Sequence, residues 1–174
     1  LDIGSYFFDN RYPNWQAVDN VIDEFQWISD RTGGWTRSQI TIVWPSNHCS
    51  NPNCTGWPCS GGNSIYLPEK TGCGYWDRLT VYHEYAHSVM YSIYNNSFPG
   101  GCTGPNPHYI YSISCEGFAI TEGWAEFMTG AVINNPDAIF DWATGCSSSP
   151  NNLESSLWWK GDNCTNTNGA IVEG

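Results

Sequence analysis

The stretch YHEYAHSVM, residues 82–90, places two histidines four residues apart with a glutamate directly after the first. In a helix, residues at i and i+4 project from the same face, about 6 Å apart at the backbone. The imidazoles of His83 and His87 can therefore hold one metal ion between them. Glu84 lies about 100° round the helix from His83, where a base that acts on a metal-activated water must stand. The alternative interpretation is two histidines that are exposed or that line the core.

The segment ITEGWAEF, residues 120–127, supplies candidates for a third ligand. A catalytic zinc needs three protein ligands and one open position. Glu122 lies in the middle of a predicted helix between apolar neighbours, where a carboxylate needs a partner. Glu126 follows one turn later, and two such carboxylates repel unless one binds a cation and the other accepts a hydrogen bond from a ligand imidazole. The alternative is an acidic stripe that faces solvent.

Together, HEYAH and TEGWAEF resemble the gluzincin zinc metallopeptidases, whose third ligand is a glutamate on a later helix. The chain is also similar to a group of secreted bacterial zincin-like domains with the pattern W-D-R, H-E-Y-G-H and S-E-G-W-A. The resemblance implies that His83, His87 and Glu122 bind Zn²⁺ and that Glu84 is the general base. Glu126 falls where some gluzincins carry an acidic residue that supports a ligand.

Two related classes of zinc peptidase are excluded by the residues that follow the histidines. A metzincin continues with glycine and a third histidine, but this chain has Met90 and Ile93 at those positions. The G-T-x-D pattern of aspzincins does not follow His87. The gluzincin-like interpretation therefore remains.

A donor that stabilises the oxyanion is harder to find in this sequence. Gluzincins usually place a His, Tyr or Arg beyond the third ligand, but none of these residues follows Glu122 here. The candidates are His108, Tyr109 and Tyr111, or a residue beyond Gly174. His108 can also be an ordinary surface histidine. The ending NGAIVEG looks like the start of a helix, which favours a chain truncated from a longer enzyme.

Composition restricts the class of protein and its partners. The 174 residues carry a net charge of −11 with only six Lys and Arg, which argues against binding nucleic acid or an anionic membrane. No apolar run approaches the roughly 18 residues that a spanning helix needs. We expect a single monomeric domain, with an amino-terminal subdomain over residues 1–95 and a carboxyl-terminal subdomain over 96–174. The expected partner is a protein or peptide substrate.

Eight cysteines without any C-x-x-C pair favour disulfides over a cysteine metal site. Together with the acidic composition they predict a secreted protein in which all eight pair within the chain. The pairing cannot be read from sequence, although proximity suggests Cys102 with Cys115 and Cys146 with Cys164.

Hydrophobic periodicity and turn residues predict an α+β protein. The resemblance adds a zincin-like arrangement: a small amino-terminal sheet with helices and the active-site helix, then a mostly helical and irregular carboxyl-terminal lobe. In zincins the strand before the active-site helix is the edge that pairs with substrate, which here is 64–68. The predicted elements are strands over 3–8, 38–45 and 64–68, helices over 14–31, 77–94 and 114–133, and loops or irregular segments over 46–63, 95–108 and 134–174.

These observations predict a secreted zinc endopeptidase. Two alternatives stay open. One is a non-catalytic zinc-containing binding module, such as an adhesin or sugar binder. The other is a zinc amidase that acts on cell-wall peptides. Glu84 argues against the binding module, because a purely structural zinc has no use for that carboxylate.

Overall fold

The computed structural model describes residues 13–46, 58–68, 78–99, 108 and 113–135, and three short strands nearer the carboxyl end. The chain divides into two compact units, Leu1–Val89 and Met90–Gly174. The elements in the described part are α1 (Pro13–Arg31), β1 (Thr41–Val43), β2 (Cys59–Ser60), β3 (Ser64–Tyr66), α2 (Arg78–Ile93), β4 (Ile113–Ser114), α3 (Glu116–Ile133), β5 (Ile139–Phe140), β6 (Pro150–Asn151) and β7 (Ile171–Val172). This mixture of helices with a small mixed sheet is consistent with the α+β prediction. The predicted strand over 3–8 lies outside the described residues.

Helix α1 confirms the helix predicted over 14–31, and it ends where Gly33 and Gly34 adopt positive φ angles of 73° and 96°. Its apolar positions are buried to different degrees. Trp15, Val18, Ile22 and Phe25 are only half-buried. The fully buried stripe is Ala17, Val21, Glu24 and Ile28.

The first unit contains a three-stranded sheet in the order β1-β3-β2. Strand β3 pairs parallel with β1 and antiparallel with β2. The prediction that 64–68 forms a substrate-binding edge is therefore wrong, because both sides of β3 already carry strands. The loop predicted over 46–63 is also wrong in part, since it contains β2. Strand β1 is shorter than the predicted 38–45, and it ends at Val43, shortly before Pro45, which has no N–H to continue the ladder.

Arg37 joins helix α2 to the turn between β2 and β3. Its guanidinium donates to the main-chain carbonyls of Ser88 and Gly62 and to Oδ1 of Asn63, the last two at 2.9 and 3.1 Å. The Ser88 hydroxyl also donates to the Gly62 carbonyl. Burial lowers the pKa of Arg37, while the nearby Tyr85 opposes that shift. The Arg37 guanidinium thus donates hydrogen bonds to a carbonyl of α2 and to a carbonyl of the turn between β2 and β3.

We predict that Arg37→Ala lowers the free energy of unfolding by about 2–4 kcal/mol, because three acceptors lose a charged donor. Arg37→Lys should recover part of the loss, since an ammonium lacks the planar fork. Urea unfolding measures both. The exposed Arg78→Ala is the control and should change stability by less than about 0.5 kcal/mol. An Arg37→Ala protein as stable as this control would contradict the assignment.

Helix α2 agrees within one residue at each end with the helix predicted over 77–94, whose first residue, Asp77, lies outside the described residues. Every residue from Thr80 to Met90 is buried, so this stretch has no solvent-facing side. Ile93 is 56% exposed, because the helix leaves the core in its last turn.

In the second unit, α3 confirms the helix predicted over 114–133, except that Ser114 belongs to strand β4. Asn134 ends the helix in the left-handed conformation, and its N–H bonds back to the Ala131 carbonyl. Strand β4 pairs antiparallel with β7, and β5 pairs antiparallel with β6. The predicted helix start at 169–174 is therefore wrong, because Ile171 and Val172 form a strand. Within the described helices, none has the length and apolar character to cross a membrane.

Candidate metal centre

Helix α2 places His83 and His87 one turn apart with their rings together. Their Nε2 atoms lie 3.1 Å apart, and the ring planes meet at 88°. Both residues are buried, with 9% and 6% of their surface exposed. Two nitrogens bound at about 2.0–2.1 Å to one tetrahedral zinc stand about 3.3–3.4 Å apart. The pair therefore has nearly the spacing that one ion requires. An N–H···N hydrogen bond between the rings would also fit this distance.

Glu122, on α3, adds a carboxylate to the two imidazoles. One ligand atom each from His83, His87 and Glu122 lies within 4.8 Å of the others, and all three residues are buried. A buried set of two neutral nitrogens and one carboxylate matches the ligand types that zinc accepts. The three residues that the sequence nominated as ligands thus form a group that could hold a metal ion.

Two further glutamates of the predicted site are buried. Glu84 follows His83 on α2, in the part of the helix that is covered all round. Glu126 lies one turn after Glu122 on α3. The alternative that Glu122 and Glu126 form an acidic stripe facing solvent is wrong, because both of these residues are buried. A carboxylate in such a place needs a hydrogen bond or a cation.

His108 contacts the carboxylate of Glu122. The distance from His108 Nε2 to Glu122 Oε2 is 3.3 Å, and the side chains are 37% and 8% exposed. The rings of His108 and Phe118 of α3 pack in a T-shaped arrangement, with centroids 5.0 Å apart. The candidate oxyanion donor is thus a neighbour of a candidate ligand. Tyr109 and Tyr111, the other two candidates, lie outside the described residues.

Glu24 of α1 is a residue that the sequence analysis missed. Its side chain is fully buried, and neither carboxyl oxygen has a hydrogen-bond partner among the described residues. Burial raises the pKa of Glu24 well above its ordinary value, although the charge of His83 opposes this shift. Its position in the apolar pattern of α1 is the sequence feature that could have indicated its burial. Glu24 stands three residues after Val21 and four before Ile28, where an apolar residue is normal.

We predict that Glu24 makes the metal-free protein less stable as the pH rises. Its folded pKa is raised, so its contribution is fully present below its ordinary value of 4.5 and is lost as pH rises toward the folded value. Glu24→Gln should remove this slope. Urea unfolding with a chelator, at several pH values between about 4 and 8, measures the difference. A difference between variant and wild type that stays constant with pH would contradict the prediction.

Two cysteines lie in the described part of the chain. Cys59 of β2 and Cys115, which precedes α3, are both disulfide-bonded. This agrees with the prediction of disulfides for these two residues. The other six, and with them the proposed pairing of Cys146 with Cys164, lie outside the described residues.

Comparison with known proteins gives one family. The mycolysin C-terminal domain family matches residues 24–174, which include both helices of the site. Domains of this family are found in secreted zinc metallopeptidases. No curated protein and no solved structure matches the chain. The match extends over most of the sequence, and the chain therefore belongs to the mycolysin C-terminal domain family.

Proposed function

We propose that this chain is a zinc-dependent metallopeptidase that hydrolyses peptide bonds. One observation carries the proposal: His83, His87 and Glu122 form a buried group with the spacing of metal ligands, and Glu84 follows directly after the first of them. Membership in a family found in secreted zinc metallopeptidases supports the same activity.

Zinc is the metal we propose, because imidazole nitrogens disfavour Mg²⁺ and Ca²⁺, which take oxygen ligands. When bound, zinc would act as a Lewis acid and lower the pKa of its water toward about 7. The residues His83 and His87 would supply nitrogens, and Glu122 would supply the oxygen. One ligand position would remain open for reaction.

Glu84 is proposed as the general base. It would accept a proton from the attacking water and then deliver that proton to the leaving amine. Its burial supports this role, because charges interact more strongly where water is excluded. Glu126 is proposed to hold a ligand imidazole in place, as buried carboxylates commonly do beside metal-bound histidines.

His108 is proposed to hold Glu122 in the orientation that binds the metal, since its ring nitrogen lies 3.3 Å from that carboxylate. We predict that His108→Ala weakens zinc affinity by about 10–100-fold, the usual cost of removing such a support. Titration against a chromophoric chelator measures this. If zinc affinity stays unchanged while kcat falls by about 10²–10³-fold, His108 is instead the oxyanion donor. A variant equal to wild type in both would assign it no role.

The second candidate is a metal-binding domain without catalysis of its own. The family description supports this candidate, because it names a C-terminal domain and not a peptidase domain. Such a module could bind a protein or a sugar. A zinc amidase that acts on cell-wall peptides is the third candidate, with the same site and a different substrate.

Cleavage assays separate the three. A peptidase should cut casein, should stop when a chelator is added, and should recover with zinc. An amidase should spare casein and act on peptidoglycan. A protein that binds zinc tightly and cuts neither substrate would favour the non-catalytic module.

We further propose that the chain is secreted and folds as a single zincin-like catalytic domain, with subdomains over 1–95 and 96–174. The disulfides at Cys59 and Cys115 support secretion, because such bonds persist in oxidising compartments. The expected partner is a protein or peptide, and a monomer is expected in solution. The low content of Lys and Arg argues against nucleic acid or an anionic membrane as a partner.

A further inference from the structure

We propose that Asn95, in the turn that follows α2, is an acceptor for N-linked glycosylation. Residues 95–97 are Asn-Asn-Ser, the acceptor motif in which serine or threonine stands two residues after the asparagine. So short a motif also occurs by chance, and its surroundings in the structure decide whether it is usable. This inference goes beyond the proposed peptidase activity and rests only on the proposal that the chain is secreted.

The motif lies in a tight turn at the carboxyl end of α2. Asn95 and Asn96 both adopt the left-handed conformation, with φ angles of 57° and 61°. The Asn96 N–H donates back to the Tyr91 carbonyl at 2.9 Å, and the rings of Tyr91 and Phe98 pack together with centroids 5.1 Å apart. These contacts hold the turn closed, and they use none of the side chains of residues 95–97.

The side chains of the motif are accessible. Asn95, Asn96 and Ser97 are all exposed. Within the described part of the chain the Asn95 amide makes no side-chain hydrogen bond, so its Nδ2 is available for reaction. The Ser97 hydroxyl makes only a long contact of 3.4 Å, to the carbonyl of Phe98. The left-handed turn accounts for the two asparagines, which tolerate that conformation, but it does not require the hydroxyl that an acceptor motif needs.

Two large apolar side chains at the surface directly precede the motif. Ile93 is 56% exposed and Tyr94 is 50% exposed. Apolar surface in water is unfavourable, and exposed apolar groups that lie together commonly mark a contact. A sugar ring has C–H faces that pack on apolar side chains and hydroxyls that stay hydrated. The first sugars on Asn95 are tied to the neighbouring residue, so they would cover Ile93 and Tyr94 and leave a hydrated surface.

The reaction joins C1 of the first sugar to Nδ2 of Asn95. The donor is an oligosaccharide linked to a lipid pyrophosphate, which an oligosaccharyltransferase of the secretory pathway uses. The bond between C1 and the pyrophosphate oxygen breaks, and the lipid pyrophosphate leaves with the electron pair. The amide nitrogen loses one proton, and neither an oxidant nor a reductant takes part.

The test is to express the full chain in the secretory pathway of a eukaryotic cell and to map its peptides by mass spectrometry. Peptide-N-glycosidase in heavy-oxygen water converts each glycosylated asparagine to a labelled aspartate. Asn95 is thereby scored separately from the motifs at Asn53 and Asn163, which lie outside the described residues. Asn95→Gln removes the acceptor, and Ser97→Ala removes the hydroxyl. Asn96→Gln is the matched control, because it changes the neighbouring left-handed asparagine and keeps the motif.

We expect a glycan on Asn95 in the wild type and in the Asn96→Gln control. Ser97→Thr should also keep the glycan, because threonine supplies the same hydroxyl. Asn95→Gln and Ser97→Ala should lose it at this position.

The proposal is overturned if the wild-type chain, whether secreted or retained in the cell, carries no glycan on Asn95. A modification of Asn95 that persists in Ser97→Ala overturns it as well, because the motif would then not direct the reaction. If Asn95→Gln does not fold, Ser97→Ala decides, since it keeps both asparagines of the turn. A chain that binds zinc but has unmodified Asn95 overturns this inference alone, whereas a glycosylated chain that binds no zinc overturns only the proposed function.

Discussion

Glu84→Gln is expected to leave one zinc bound per chain and to slow peptide cleavage by about 10²–10⁴-fold, the usual contribution of a general base. Glutamine keeps the size of the side chain but cannot take a proton at neutral pH. The ligands His83, His87 and Glu122 are untouched, so metal content should not change. Cleavage of a fluorogenic peptide and elemental analysis of the same sample measure the two quantities.

The control for Glu84→Gln is Glu116→Gln, which removes an exposed carboxylate from the first turn of α3. It should keep full activity and full zinc. A Glu84→Gln protein that cleaves peptides at the wild-type rate would show that Glu84 is not the general base. A variant that lost zinc as well as activity would instead make Glu84 a ligand.

The second large effect is expected at Glu122. Glu122→Gln should lower zinc affinity by more than the about 10–100-fold that loss of a supporting residue costs, because an amide oxygen is a much weaker zinc ligand than a carboxylate. His83→Ala should have an equal or larger effect, since a methyl group offers no ligand atom. Both variants should also lose the rise in melting temperature that added zinc gives the wild type, because only a ligand that binds the folded state stabilises it.

Glu126→Gln provides the matched comparison on the same helix, one turn from Glu122. If Glu126 only supports a ligand imidazole, its replacement should weaken zinc by about 10–100-fold and not abolish binding. Equal effects of the two variants would leave the choice of third ligand open. Full zinc content in Glu122→Gln would contradict the assignment of Glu122 as a ligand.

The histidine pair of the candidate site could be predicted because its information is local, whereas the resemblance to gluzincins nominated Glu122 as the third ligand. The spacing of His83 and His87 brings their rings together in any helix, and both α2 and α3 have clear helical periodicity. Glu122 and Glu126 have the same four-residue spacing, which places them on one face of α3. The contact between His108 and Glu122 depends on the path of a loop, and the sequence does not encode that path in a short motif.

Features that depend on packing were predicted less well. The sequence indicates a strand at β3 but not its neighbours, so its central place between β1 and β2 was missed. Similarly, Ile171 and Val172 form a strand because β4 offers a partner far away in sequence. Glu24 was missed because amphipathic patterns assign buried positions to apolar residues, and a buried carboxyl is the exception to that rule.

The central claim is that His83, His87 and Glu122 hold one zinc ion. A crystal structure of the zinc-loaded protein, with data collected on both sides of the zinc absorption edge, tests this most directly. We predict one anomalous peak per chain, about 2.0–2.2 Å from Nε2 of each histidine and from a carboxylate oxygen of Glu122. Zinc bound by cysteine sulfur at about 2.3 Å, or zinc-loaded crystals with no peak between the two histidines, would contradict it.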